Sequence, residues 1–199
     1  MRLIAVAALL GAAFTLAACG GGDGSGGESA EKEIAVTLEK VLEDPDPVDC
    51  RTLQTKRFLE QTKRNTGETS LEACEHYARE DSSDSIEVSD VSVDGSSARA
   101  KVTYVDGAIG GASLLVGLVA DDDGWKVDEV VRYLDFDKEK VIDAIETSVA
   151  LSSDETEPNL ATCVSSQLAR VPEKKFEESL IQAAKLEALV REAGRACGR

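Results

Sequence analysis

Ile86-Glu87-Val88-Ser89-Asp90-Val91-Ser92-Val93-Asp94-Gly95-Ser96-Ser97-Ala98-Arg99-Ala100-Lys101-Val102-Thr103-Tyr104 is the stretch that decides the fold. Ile86 and Val88 share one face of an extended chain, and Asp90 then shifts the phase so that Val91 and Val93 follow. Such a slip in mid-strand predicts a β-bulge. Asp94-Gly95 is a hairpin signal. Ala98, Ala100, Val102 and Tyr104 alternate with Arg99, Lys101 and Thr103 along the returning strand. Gly107, Gly110 and Gly111 then make a loop, and Leu114 to Ala120 is apolar on both faces. Asp121-Asp122-Asp123-Gly124 turns that run into Trp125-Lys126-Val127-Asp128. The pattern is an antiparallel meander of about four strands.

On both sides of the meander the period is helical. Ser29 is placed to cap a helix carrying Ile34, Leu38, Val41 and Leu42 on one face, with Glu31 and Glu33 favourable in its first turn. Pro45 and Pro47 end it. A second helix is expected from about Cys50 to Arg64, burying Leu53, Phe58 and Leu59. Thr69-Ser70-Leu71-Glu72 has the spacing of a capping box and opens a third, running through Arg79. After Tyr133-Leu134-Asp135, Val141, Ile142, Ile145 and Val149 form a new stripe. Leu160, Cys163, Val164 and Leu168 form another, as do Leu186, Leu189, Val190, Ala193 and Cys197. Pro172, with Phe176, Leu180 and Ile181, predicts a short helix between them. The fold class is therefore α+β: N-terminal helices on a curved meander, followed by an all-α module.

Leu115, Gly117 and Val119 oppose Leu114, Val116 and Leu118 on the third strand. A sheet apolar on both faces needs a cover on each. The helices of 137–199, or a second copy of the protein, are the expected cover of the outer face.

The amino end carries an address. After Met1-Arg2, residues 3–18 are apolar or small except for Thr15, a run spanning about 24 Å as a helix. That is short of the roughly 30 Å hydrocarbon core, and it reads as a secretory signal. Leu16-Ala17-Ala18-Cys19 resembles the lipobox of bacterial lipoproteins. The resemblance implies cleavage before Cys19, acylation of its thiol, and anchoring to a bilayer from the extracytoplasmic side. Gly20-Gly21-Gly22-Asp23-Gly24-Ser25-Gly26-Gly27 follows as a flexible spacer. The expected organisation is a signal peptide (1–18), a lipidated Cys19 with its tether (19–29), an α+β domain (30–136) and a helical module (137–199).

Cys50, Cys74, Cys163 and Cys197 remain, an even count suited to an oxidising compartment. Four cysteines allow three connectivities. Cys163 lies in the first turn of its helix and Cys197 in the last turn of another, so antiparallel packing would join them. Elimination then leaves Cys50–Cys74. Zinc fits poorly, because the spacings are not those of a knuckle and no histidine complements them.

Cys50-Arg51-Thr52-Leu53 with Phe58-Leu59, Cys74-Glu75, the hairpin through Val102 and Gly124-Trp125-Lys126-Val127-Asp128 together resemble the nuclear transport factor two-like (cystatin-like) fold. The likeness covers roughly residues 30–136, and small bacterial lipoproteins carry domains of this kind. It implies a cone between sheet and helices, which in such folds houses ligands or acid/base chemistry. The 137–199 segment resembles a small disulfide-closed helical module of secreted bacterial proteins.

The chain has 38 acidic and 22 basic residues, a formal charge of -16 and one histidine in 199 residues. That balance argues against nucleic acid. The charge is uneven: residues 19–136 hold 26 acidic and 12 basic side chains, and residues 137–199 hold 12 and 9. No position matches a known catalytic set. Asp94, Asp106 and Asp121 to Asp123 fall in turns, where Asp serves the backbone. An EF-hand alignment on Gly124 would put Val119 and Val130 at ligand positions, so no metal is expected. His76 reads as a surface or capping residue. Tyr77, Tyr104 and Trp125 are the candidates to line a pocket. The expectation is a membrane-anchored, non-catalytic lipoprotein without cofactor, binding a small apolar ligand or an envelope protein. An acid/base enzyme using the cone and a structural or assembly subunit are the alternatives.

Overall fold

Four strands form the antiparallel sheet: β1 (Ile86–Asp94), β2 (Ser97–Tyr104), β3 (Ser113–Asp121) and β4 (Gly124–Asp135), paired in the order β1-β2-β3-β4. They belong to a computed structural model that describes residues 25–64, 67–78, 85–107, 109–152 and 159–198. Residues 1–24, on which the expected signal peptide, the lipidation of Cys19 and the start of the tether fall, lie outside the described residues. Helices precede the sheet as α1 (Ser25–Leu42), α2 (Asp49–Thr52), α3 (Lys56–Thr62) and α4 (Ser70–Tyr77). They follow it as α5 (Lys138–Ser152), α6 (Leu160–Ala169), α7 (Glu173–Leu180) and α8 (Ala183–Ala196). The fold is α+β.

The phase slip in β1 is a bulge. Ser89 pairs with Lys101 and Ser92 with Arg99, so three steps on β1 match two on β2. Asp90 takes φ of 50°, the left-handed region that Asp tolerates better than most residues. Val88 and Val91 thereby both pack on the core side. Ile34 and Leu38 of α1 are fully buried against Val102, Val116 and Leu118, and Phe58 and Trp125 complete this first core.

Two helical expectations are corrected. Helix α1 begins at Ser25, so the last residues assigned to the tether are helical and Ser29 lies inside the helix rather than capping it. The packed stripe propagates toward the N-terminus, and Lys32 bonds Glu28 one turn back at 3.1 Å. The helix expected over Cys50–Arg64 is two helices. Between them, Leu53–Thr55 runs beside β4: Val127 N–H donates to Leu53 O at 2.8 Å and Thr55 N–H to Val127 O at 2.9 Å. Thr55 then caps α3 through Phe58 N–H at 3.3 Å. Sheet pairing outcompetes one turn of helix there. The capping box of α4 forms as its sequence predicts, with Thr69 and Glu72 bonded reciprocally.

Beyond β4 a second core gathers Val141, Ile142, Leu160, Val164, Leu168 and the fully buried Phe176. Phe136 joins the two cores, its ring 5.5 Å from Tyr133 and 6.4 Å from Phe176. Lys138 donates to Ala169 O at 2.9 Å and Val171 O at 2.6 Å, closing the end of α6. Cys163 and Cys197 are bridged, as are Cys50 and Cys74. In the chain-entropy model, loops of these lengths contribute about 3.5 kcal/mol each.

The helices of 137–199 are not the cover of the outer sheet face. They pack chiefly on one another, on α3 and on the aromatic junction. Gly117 is nonetheless buried, because the side chains of Glu129 and Val131 fold over it. Leu115 and Val119 stay half-buried. Side chains from the neighbouring strand thus shield the middle of this face.

Candidate functional site

The residues that converge on one hollow come from α1, α3 and α4. Val41 and Leu42 end α1, Phe58 and Leu59 lie on the inner side of α3, and Ala73 and Tyr77 are a turn apart on α4. Together they enclose about 210 Å³. The Cys50–Cys74 bridge holds α4 against α2, and Cys74 itself lines the hollow. The inner wall is apolar or uncharged, with Gln54 and Ser70 its buried polar members. Ser70 donates to Glu60 at 2.8 Å. No buried side-chain nitrogen or oxygen among the described residues lacks a partner.

Two cations stand at the rim. Lys63 is half-buried and Arg64 exposed, and both line the hollow. The Arg64 guanidinium lies 4.1 Å from the centre of the Tyr77 ring, a cation–π contact that positions it. A shallower groove of about 590 Å³ opens on the far side of Arg64, walled by Ile145, Val149, Leu186 and Val190 of α5 and α8.

Of the three aromatic candidates, only Tyr77 lines this hollow. Trp125 is 8% exposed in the first core, and Tyr104 packs half-buried against the same core. Tyr104 and Trp125, named as candidates to line a pocket, serve the first core instead. Ile34, Leu38 and Phe58 fill the space beneath α1, and the opening lies among the helices instead. Sequence reasoning missed Lys63 and Arg64. The available signal was two adjacent cations just past the end of a helix in the more acidic part of the chain.

The titratable groups argue a consistent case. Hydrogen bonds from the Thr69 backbone and side chain hold Glu72 below the usual carboxylate range. Asp121 is lowered by its bond to Lys126 and then by Asp123 N–H, and Glu146 by Ser165 and Thr162. All three belong to a cap, a turn or a helix contact, and none lines the hollow. Burial raises the Tyr133 phenol well above its ordinary value, and Tyr104 adds to the shift. His76 is half exposed, with Nδ1 3.6 Å from Glu68, and stands outside the hollow. Among the described residues, no group of three or more His, Cys, Asp or Glu could hold a metal. No described helix is long and apolar enough to cross a membrane.

Compared with protein-family models, with curated proteins and with solved structures, the chain matches none.

Proposed function

We propose that the chain is an extracytoplasmic lipoprotein of the nuclear transport factor two-like kind, anchored through acylated Cys19, that binds a small apolar group without catalysing a reaction. The observation that carries the binding role is the hollow among α1, α3 and α4. It offers apolar walls and no carboxylate or imidazole at its floor. A site built for acid/base chemistry would place such a group there with a shifted pKa. At about 210 Å³ it falls below the range that houses drug-sized ligands, which suits one short chain or a single apolar side chain of a partner. The lipobox-like Leu16-Ala17-Ala18-Cys19 and the oxidised cysteine pairs support the address.

Titration of the mature chain with n-octanol, followed by methyl chemical shifts, tests the hollow. Saturable shifts are expected at Val41, Leu59 and Ala73, with Leu168 and Val164 of the second core unmoved. Uniform or non-saturating shifts would remove the binding role. For the anchor, Cys19→Ser should move the protein from the membrane to the soluble extracytoplasmic fraction. Equal membrane retention would refute it.

A further inference from the structure

We infer that the hollow's ligand is a small anionic amphiphile, with one short aliphatic chain inside and a carboxylate-type head against Lys63 and Arg64. This rests on the reading of the hollow as a binding site and adds the chemistry of what enters it. Its basis is the placing of two adjacent cations at one apolar opening. Residues 19–136 hold 26 acidic side chains against 12 basic ones, so a cation there has an excess of carboxylates to pair with. Arg51 pairs with Glu75, Arg57 with both Asp128 and Glu129, and Lys126 with Asp121 and Asp123, whereas Lys40, Lys56, Arg99, Lys101 and Arg132 form no ion pair with any described residue. Lys63 and Arg64 form none either, and what sets them apart is that both line the same apolar opening.

Arg64 is also oriented. Its Cζ lies 4.1 Å from the centre of the Tyr77 ring, and a guanidinium held over a ring keeps N–H donors at its edge for an acceptor. A planar carboxylate is the acceptor that this edge matches, through two parallel hydrogen bonds. Tyr77 and Arg64 both line the hollow, so those donors lie within reach of the head of a chain seated inside. The net charge of -16 repels anions at long range, so selection has to arise from contact at the rim. The volume admits one short chain, which separates a free amphiphile from a two-chain lipid of a bilayer.

The test compares n-octanoate, n-octanol and n-octylamine on the full mature chain by calorimetry. Octanoate should bind about tenfold more tightly than octanol, with octylamine weakest, a difference near 1.4 kcal/mol. Lys63→Gln/Arg64→Gln should abolish the preference, so that the variant binds octanoate no better than it binds octanol. Lys174→Gln/Lys175→Gln, an equal change of charge on α7, should leave the ratio intact. If octanol saturates the wild-type chain and octanoate binds no better, the anionic head is wrong while the apolar site stands. If none of the three binds, both readings fall. The wild-type comparison decides the matter even if the double variant folds poorly. Phosphatidylglycerol vesicles serve as the remaining arm. Binding to them that depends on Lys63 and Arg64, with octanoate silent, would make the rim a membrane contact and overturn the proposal.

Discussion

Gln61 offers the sharpest test of how the helices and the sheet are joined. Its side-chain amide reads the outer edge of β4 as another strand would: Nε2 donates to Val130 O at 2.8 Å, and Val130 N–H donates to Oε1 at 2.8 Å. Gln61→Ala removes both bonds and leaves a half-buried donor and acceptor at the sheet edge. Each such bond contributes about 0.5–1.5 kcal/mol net, so the loss should be about 1–3 kcal/mol. For a chain of this size each kcal/mol lowers Tm by roughly 2–4 °C. Trp125 is the single tryptophan and lies in the first core, so its fluorescence during urea unfolding follows the affected unit directly. Gln61→Glu adds a qualitative signature. Its carboxylate still accepts from Val130 N–H but faces Val130 O without a proton to donate. The neutral acid is then favoured in the folded state, which raises its pKa there. Its stability should be highest in acid and fall as pH rises through that pKa. A change under about 0.5 kcal/mol for Gln61→Ala, with no excess pH dependence for Gln61→Glu, would refute the edge-sealing role.

Two further outcomes follow from burial. Tyr133 has its pKa raised by desolvation, so its contribution is complete below the unfolded value of about 10 and is lost as pH climbs toward the folded one. Alkaline unfolding followed by circular dichroism should steepen above that point, and Tyr133→Phe should flatten the curve; an unchanged slope would count against the buried phenol. Phe176 is fully buried between Phe136 and the second core, so Phe176→Ala should cost about 3–5 kcal/mol. A loss below 1 kcal/mol in denaturant melts would mean that the ring does not organise that core.

The features legible in the sequence share a cause: they are local periodicities. The bulge at Asp90 announces itself as a break in alternation, and the box at Thr69–Glu72 as a spacing of three. The cysteine stripes place Cys163 and Cys197 at helix ends that meet. The break at Leu53–Thr55 left no such mark, because the partner that unwinds the helix is Val127, more than seventy residues away. The hollow was equally hidden. Tyr77 could be named as an aromatic candidate, but which helix ends converge around it depends on crossing angles that no single segment encodes. Trp125 and Tyr104 were drawn into the pocket expectation because an aromatic in a strand looks alike whether it lines a void or fills one. The outer face misled for a related reason. Leu115 and Val119 signal a need for cover, and the pattern cannot reveal that they stay half-buried while Glu129 and Val131 fold over Gly117 between them.

The kink at Asp90 has a consequence for the company this molecule keeps. β1 is the other margin of the sheet, without the amide seal that finishes β4. A straight margin would invite an incoming strand from a neighbour to zip along it, and copies crowded together would be prone to polymerise. The bend breaks that template midway, and Glu87, Asp90 and Asp94 surround it with like charge. Self-assembly through open β-structure is thereby discouraged at both margins, by main-chain satisfaction at one and by geometry at the other.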